Sequence, residues 1–400
     1  MAGSQVNSSG KKIIPVGKAS GNLLLHLRNM NSTRSQTTRR AFFQSTAMAA
    51  AGLAVLPGAA AEAASAPAAR KRSIKLGLDN FSVRALGWKA GQLIEYAASL
   101  QTDSLFITDL NAFEKFDDDY LRDLRKKATD SGLQIHLGSW SICPTSKAFK
   151  KDWGSAEEHL RLGIRMAKTL GSPVFRVVLG TGEDRLSPGG IEARIMDTSK
   201  VCQACRKEAL DANVKIAIEN HAGDMQAWEL VMLIEGAGKD YVGANIDSGN
   251  ACWTFEDPAS SLEILAPYVV TTSLRDSAVW ESANGATVQW TAMGEGTVDL
   301  KSYFDKFAIL CPDVPVHVET ISGFNRELPY LKPDFWKAWP KARASDLAKF
   351  IALAKHGKPR EPWQPPPGKD RKLADQDYQK DQIQRSIKYC KESLGLGLKS

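Results

Sequence analysis

Three acidic residues stand where strands of a parallel sheet would end. Glu219, Asp247 and Glu319 each close a run that is largely apolar or β-branched: IAI, ANI and VHV. Such runs are expected to be buried, and a buried carboxylate is costly unless a cation or hydrogen bonds compensate its charge. If the three strand ends meet, the converging carboxylates predict a divalent cation. Salt bridges at the rim of the fold are the alternative interpretation.

The elements that must position these acids are short β-rich runs that alternate with helical patterns from Ile74 onward. This alternation predicts βα units around a parallel sheet. Eight repeats in roughly 250 residues is the usual size of a closed barrel. An open, doubly wound sheet would need a glycine-rich phosphate loop after its first strand, and GLDNFSVRALGW is not one. The predicted strands are 74–78, 104–108, 133–138, 174–179, 214–219, 242–247, 269–274 and 314–319.

The chain divides into three predicted parts. Residues 1–63 form an export signal and leader, 71–325 form a (β/α)8 TIM barrel, and 326–400 form a helical C-terminal extension. Helices are expected in the extension around Ala342–Lys355 and Gln379–Leu394. An appendage of this kind either packs across the barrel or joins subunits, so a homo-oligomer is one possible arrangement.

Across about residues 74–324 the sequence resembles the xylose-isomerase-like sugar isomerase/epimerase superfamily. The metal ligands of that group come from strands five to eight and are Glu, Asp, often His, and Glu. Glu219, Asp247 and Glu319 match by residue type and by strand. The loop 293–296 (MGEG) and the strand-seven end 273–276 (SLRD) are also similar, although relatives often read His-Leu-Lys-Asp at the latter. The resemblance implies a metalloenzyme that acts on a sugar or a sugar-derived ketone.

Ser273 stands where the resemblance implies a ligand histidine. Water or another side chain then fills the fourth metal position, or the metal affinity is reduced. His221 and Gln289 are the side chains that could substitute. A site dominated by oxygen ligands favours Mn²⁺ or Mg²⁺ over Zn²⁺, and Mn²⁺ is the predicted ion.

Other residues near the predicted strand ends could bind substrate. His221 and Asn250 follow the first two acids at the mouth of the pocket, and Arg275 either orients a substrate oxygen or pairs with Asp276. Three tryptophans are expected in the loops after strands three, six and seven, where indole faces could stack on a sugar or simply pack. They are Trp140, Trp253 and Trp290.

The favoured reaction is isomerisation or epimerisation of a sugar or keto-sugar through an enediolate. A bound cation would polarise the ketone and acidify the adjacent C–H, while Glu219 and Glu319 would accept and donate the proton from opposite sides. The same enediolate could expel a β-substituent, which would make the protein a lyase or dehydratase of 3-keto-glycosides or inosose-like ketones. A non-catalytic sugar-binding barrel is the third alternative, because Ser273 weakens the metal site.

The charge distribution argues against nucleic-acid binding. The formal net charge is +7, but residues 1–63 hold seven basic residues and one acidic residue, which leaves the remainder at +1. A nearly neutral body lacks the basic surface that phosphate backbones require.

The basic leader resembles a twin-arginine export signal. Arg39 and Arg40 precede an apolar run from Ala47 to Leu56 that is too short to span a bilayer as a helix. We therefore expect export by the twin-arginine machinery to the periplasm or beyond, with no stable membrane span after cleavage.

Overall fold

The computed structural model describes residues 71–399. The predicted export signal and leader, including Arg39 and Arg40, lie outside the described residues. Within the described range, no helix is both long and apolar enough to cross a membrane.

Two sheets are built from the strands of this range. The strands are β1 (Leu76–Asp79), β2 (Ser104–Ile107), β3 (Gln134–Ser141), β4 (Val174–Val178), β5 (Lys215–Glu219), β6 (Val242–Ile246), β7 (Val269–Thr272), β8 (Asp276–Ser282), β9 (Gly285–Thr291), β10 (Val316–Val318) and β11 (Asn325–Leu328). The larger sheet is parallel throughout and has the order β10-β1-β2-β3-β4-β5-β6-β7. Its two ends meet just past β7, where Leu274 bridges to Val318. The predicted (β/α)8 barrel is confirmed.

Helices surround the barrel and alternate with its strands. They are α1 (Ala90–Ser99), α2 (Asp118–Asp130), α3 (Ala156–Leu170), α4 (Gly190–Ala204), α5 (Arg206–Ala212), α6 (Ala227–Ala237), α7 (Ser248–Trp253), α8 (Pro258–Leu265), α9 (Leu300–Leu310), α10 (Ala344–Ala354) and α11 (Arg371–Glu392). Helix α3 shows how the sequence sets such bounds. Ser155 and Glu158 form a capping box at its start, and Gly171 ends it in the left-handed conformation.

A small antiparallel sheet, in the order β11-β9-β8, follows β7. The prediction that Trp290 lies in a loop after strand seven was wrong, because this segment forms strands β8 and β9. Asn284-Gly285 lies between two alternating runs, SAVWE and ATVQW, and this dipeptide is a strong hairpin signal. The sheet covers a second apolar cluster together with α10, and it carries Trp290 to the mouth of the barrel.

The C-terminal extension packs across the barrel. Helix α11 begins at Arg371, ahead of the predicted start at Gln379. The side chain of Gln379 accepts a hydrogen bond from the backbone of Ala85 at 2.8 Å, and the backbone of Gly397 donates to Ile74 at 2.9 Å. Both contacts tie the extension to the first βα unit. Association into a homo-oligomer stays a prediction.

Close packing of α3 on β4 depends on a glycine. A Cβ atom on Gly163 would lie 1.9 Å from the ring of Phe175, which is fully buried. We therefore expect Gly163→Ala to destabilise the fold by about 1–3 kcal/mol, the usual cost of overpacking a core. Chemical denaturation of the purified protein would measure this change.

Gly91 in α1 provides the matched control. Its Cβ would meet only the flexible end of Lys127, at 3.6 Å. Gly91→Ala should therefore leave stability unchanged or raise it by about 0.5–1 kcal/mol. Equal effects of the two substitutions would contradict this account of the helix contact.

Candidate active site

The C-terminal end of the barrel opens into a cavity of about 450 Å³. Small-molecule sites commonly fall between about 300 and 1,000 Å³. Its walls include Glu319, Arg275, Arg176, His221 and Trp140. The active sites of this fold lie at this end of the barrel, where the loops that follow the strands converge.

The three predicted acids meet beneath this cavity. Glu219 ends β5, Asp247 directly follows β6 and Glu319 directly follows β10. One carboxylate oxygen from each lies within 4.8 Å of the others. In the part of the chain that the structure describes, this group could hold a divalent metal ion, and no histidine belongs to it. Glu319 lines the cavity, whereas the other two acids are fully buried below it.

Arg275 lies between two of these acids. Its Nη2 donates hydrogen bonds to Oδ2 of Asp247 and to Oε2 of Glu319. Of the two alternatives for Arg275, pairing with Asp276 is therefore not found, and orientation of a substrate oxygen stays a prediction. Asp276 instead accepts hydrogen bonds from the backbone N–H groups of Gly294 and Gly296, at 3.0 and 2.9 Å. The MGEG loop thus caps Asp276 and leaves Arg275 free to reach the acids.

Glu219 has a separate set of partners. Arg176 donates to it through Nε at 2.5 Å, and the side chains of Asn245 and Asn250 donate at 2.7 and 3.2 Å. Sequence reasoning missed Arg176. The available signal was a single arginine inside VFRVV, a strand whose other residues are apolar and buried.

The acids suit a divalent ion chemically, but their surroundings do not fit a resident one. The guanidinium of Arg275 lies between two of the three carboxylates, and within residues 71–399 no fourth His, Cys, Asp or Glu joins them. Ser273 donates to Asp79 at 3.0 Å and accepts from Asn245 at 3.2 Å, so its hydroxyl is already engaged.

Neither predicted substitute for the missing histidine joins the acids. Gln289 lies on β9, where its amide donates to Asn325 and Glu361 at 2.7 and 3.1 Å. His221 directs Nδ1 to the carbonyl of Gly180 at 2.7 Å and lies outside the acid group.

His221 and Asn250 both line the cavity. Because the carbonyl of Gly180 can only accept, Nδ1 of His221 carries the hydrogen and Nε2 keeps its lone pair. Burial lowers the pKa of His221 to about 4, so its imidazole is neutral near pH 7. Asn250 bridges Glu219 and Asp247, at 3.2 and 2.6 Å, so it supports the acids as well as facing the cavity.

The surroundings push the pKa values of the two glutamates apart. Burial raises the pKa of Glu319, although Arg275 partly opposes the shift. Burial would also raise the pKa of Glu219, but the charge of Arg176 and its hydrogen bond to Glu219 outweigh burial and leave the pKa below its ordinary value. Burial raises the pKa of Asp247 to about 7. Glu319, the acid at the cavity, therefore binds a proton more readily than Glu219 does.

Two of the three tryptophans form a stacked column. The rings of Trp253 and Trp290 lie 3.9 Å apart and nearly parallel. Arg326 covers Trp253 at 4.0 Å, and Arg275 covers Trp290 at 4.2 Å. The order of the column is therefore Arg326, Trp253, Trp290, Arg275, because the close indole contact leaves no room for a guanidinium between the rings.

Trp253 and Trp290 both line the cavity, but the stacked column limits how they could contact a sugar. Both faces of Trp253 and of Trp290 are covered, so neither indole offers a free face to a sugar. They also lie at the end of α7 and on β9, and Trp140 lies on β3, rather than in loops. Trp140 lines the cavity, with its N–H bonded to Ala148 at 2.8 Å, and is the remaining candidate for stacking on a sugar.

Solved structures with a similar fold include sugar epimerases. A D-psicose 3-epimerase crystallised in the presence of D-fructose is 15% identical, with a TM-score of 0.53, over 80% of this chain and 100% of its own. A xylose isomerase domain protein from Planctomyces limnophilus is 18% identical, with a TM-score of 0.46, over 65% of this chain and 91% of its own. A 3-keto-D-glucoside 4-epimerase from E. coli is 11% identical, with a TM-score of 0.48, over 70% of this chain and 100% of its own.

No curated protein matches the sequence significantly. The family described as Xylose isomerase-like TIM barrel matches residues 83–332, which is more than half of the chain. This range contains all three acids, Arg275 and the small sheet. The chain belongs to the Xylose isomerase-like TIM barrel family.

Proposed function

We propose that this protein is an isomerase or epimerase of a keto-sugar, with Glu319 as the group that moves the proton. The observation that carries the proposal is the position of Glu319. It is a carboxylate at a strand end, it lines a cavity of about 450 Å³, and it lies beside a buried guanidinium. The D-psicose 3-epimerase of similar fold acts on a sugar by its name, and the proposal extends that substrate class to this chain.

The first chemical step is removal of a proton from the carbon next to a ketone. The carboxylate of Glu319 takes the proton, the C–H electron pair becomes the C=C bond of an enediolate, and the carbonyl electron pair moves onto oxygen. A general base works best when its pKa lies near the working pH. Burial shifts the pKa of Glu319 in that direction.

The second proton transfer decides the product. Glu219 was predicted to act from the opposite side, and this role stays a prediction. Glu219 is fully buried beneath Arg176, Asn245 and Asn250, so it must be uncovered before it can reach a substrate. A single accessible base favours the second candidate function, a lyase or dehydratase of a 3-keto-glycoside, in which the enediolate expels a β-substituent.

Positive charge near the carbonyl oxygen is required by either reaction. The sequence predicts that a divalent ion at the three acids supplies this charge, but the guanidinium of Arg275 holds that position in the structure. Mn²⁺ remains the ion that the oxygen donors favour over Zn²⁺. Its binding requires Arg275 to leave Asp247 and Glu319, because the guanidinium bridges these two acids.

The direct test is a screen of ketoses and 3-keto-glycosides for exchange of the C–H next to the carbonyl in deuterated water. Exchange of this C–H together with formation of an epimer or an aldose supports the proposed function. Exchange followed by loss of the β-substituent supports the lyase. A ligand that binds without any exchange identifies a sugar-binding barrel and overturns both enzymatic functions.

We expect Glu319→Gln to slow this exchange by about 10²–10⁴-fold, the usual contribution of a general base. The substitution keeps the size of the side chain and removes its basicity. Proton NMR of a substrate found in the screen measures the exchange rate. Glu281→Gln is the control, because Glu281 is exposed on β8 and does not line the cavity. An unchanged rate in Glu319→Gln would exclude Glu319 as the base.

Glu219→Gln separates the two candidate functions. If Glu219 returns the proton, the variant should keep C–H exchange and lose formation of the epimer. If the reaction is an elimination with Glu319 as the single base, exchange and product formation should fall together and only modestly. Parallel assays of exchange and product distinguish these outcomes.

We also propose that the protein is exported by the twin-arginine route, on the basis of Arg39, Arg40 and the apolar run that follows them. Replacing both arginines with lysine should leave the precursor in the cytoplasm. Fractionation and immunoblotting of a twin-arginine-competent host would measure this. A normal amount of exported double variant would contradict the proposed localisation.

A further inference from the structure

Arg275 differs from the other charged groups of the site because its donors are only partly used. The side chain is 2% exposed, and Nη2 serves both Asp247 and Glu319. The remaining donor atoms, Nε and Nη1, are buried and have no hydrogen-bond partner among the residues that the structure describes. Arg275 also lines the cavity, so a small movement of its side chain would bring these buried donors within reach of a ligand oxygen.

The stacked column holds Arg275 in this position. Its guanidinium lies 4.2 Å from the ring centroid of Trp290, which is in turn stacked on Trp253. The N–H of Trp290 donates to the carbonyl of Gly249 at 2.9 Å and fixes the indole. A guanidinium that stacks on a fixed ring loses little further conformational freedom when it binds an anion. The geometry is therefore that of a positioned cation.

We infer that Arg275 is the resident cation of this site. Its guanidinium takes the place of a divalent ion between Asp247 and Glu319, and a shift of the side chain on substrate binding lets its two unpaired donors bind the substrate's carbonyl oxygen. Binding of the substrate oxygen rests on the proposed function, whereas the exclusion of a metal ion does not. During proton removal by Glu319, the electron pair that moves onto the carbonyl oxygen would be stabilised by these N–H groups.

Arg275 and a divalent ion exclude each other from this position because both are positively charged. A guanidinium stays protonated at any pH that the fold survives, so it cannot relieve repulsion by losing a proton. A dication at the acids would lie next to this permanent charge in a buried site, where like charges repel strongly. Arg176 adds a second fixed positive charge on Glu219. Ser273, whose hydroxyl is bonded to Asp79, provides no ligand to offset this repulsion.

The test measures divalent metal directly and needs no substrate. Elemental analysis of the purified full-length protein should find well under a stoichiometric amount of divalent metal, and a chelator should leave its melting temperature unchanged. Calorimetric titration with Mn²⁺ should show weak binding to the wild type. Arg275→Met, which removes the charge and keeps an apolar contact with Trp290, should bind Mn²⁺ about 100-fold more tightly because one like-charge contact is gone.

Two further variants provide controls. Arg326→Met removes the cation at the far end of the stacked column, which makes no ion pair with the acids, and should leave Mn²⁺ affinity near that of the wild type. Arg275→Lys keeps the charge and should also bind Mn²⁺ weakly. Stoichiometric metal in the wild type, or Mn²⁺ affinity that Arg275→Met does not raise, would overturn the inference. The wild-type measurement decides the question even if Arg275→Met fails to fold.

A substrate found in the exchange screen adds a second readout. Arg275→Met should lose exchange in the absence of metal and regain part of it when Mn²⁺ is added, whereas Mn²⁺ should not stimulate the wild type. If Arg275→Met loses exchange but does not bind Mn²⁺ more tightly, the inference that the guanidinium and Mn²⁺ compete for one position is refuted. If Arg275→Met binds Mn²⁺ more tightly but the wild type exchanges no substrate, Arg275 stands as the resident cation and the proposed function is refuted.

Discussion

Burial of three carboxylates in one small volume is the constraint on which the rest of this site depends. Glu219, Asp247 and Glu319 end strands that must be apolar to form the barrel, so their charges cannot be hydrated as they would be at a surface. Uncompensated buried charges of one sign would destabilise the fold strongly. The chain supplies Arg176 and Arg275 as the compensating charges, and both reach the acids from within the barrel end.

The stacked column explains why a small antiparallel sheet follows β7. Strand β9 carries Trp290 over the barrel mouth, and β11 carries Arg326 to the far side of Trp253. The stacked faces of both indoles thereby position a guanidinium, and both indoles also line the cavity. The cavity keeps Trp140 as an aromatic wall and Glu319 as an acid, and both belong to the barrel itself. Insertions after barrel strands commonly shape specificity in this fold.

Much of this arrangement could be predicted from the sequence because barrel periodicity is a local signal. Eight β-rich runs alternating with amphipathic stretches were sufficient to predict the eight strands and to place three acids at strand ends. The partners of those acids could not be predicted in the same way. Whether Arg275 turns toward Asp276 or toward Asp247 and Glu319 depends on the MGEG loop, whose backbone N–H groups already satisfy Asp276. The covered faces of Trp253 and Trp290 depend equally on a hairpin that brings distant residues together.

The most direct test of the central claim, that arginine charge compensates the buried acids, is anomalous diffraction from crystals soaked in Mn²⁺ and measured at the manganese absorption edge. We predict electron density for the Arg275 guanidinium between Asp247 and Glu319, with no anomalous peak among the three acids. An anomalous peak coordinated by Glu219, Asp247 and Glu319, with Arg275 turned away from them, would contradict the claim.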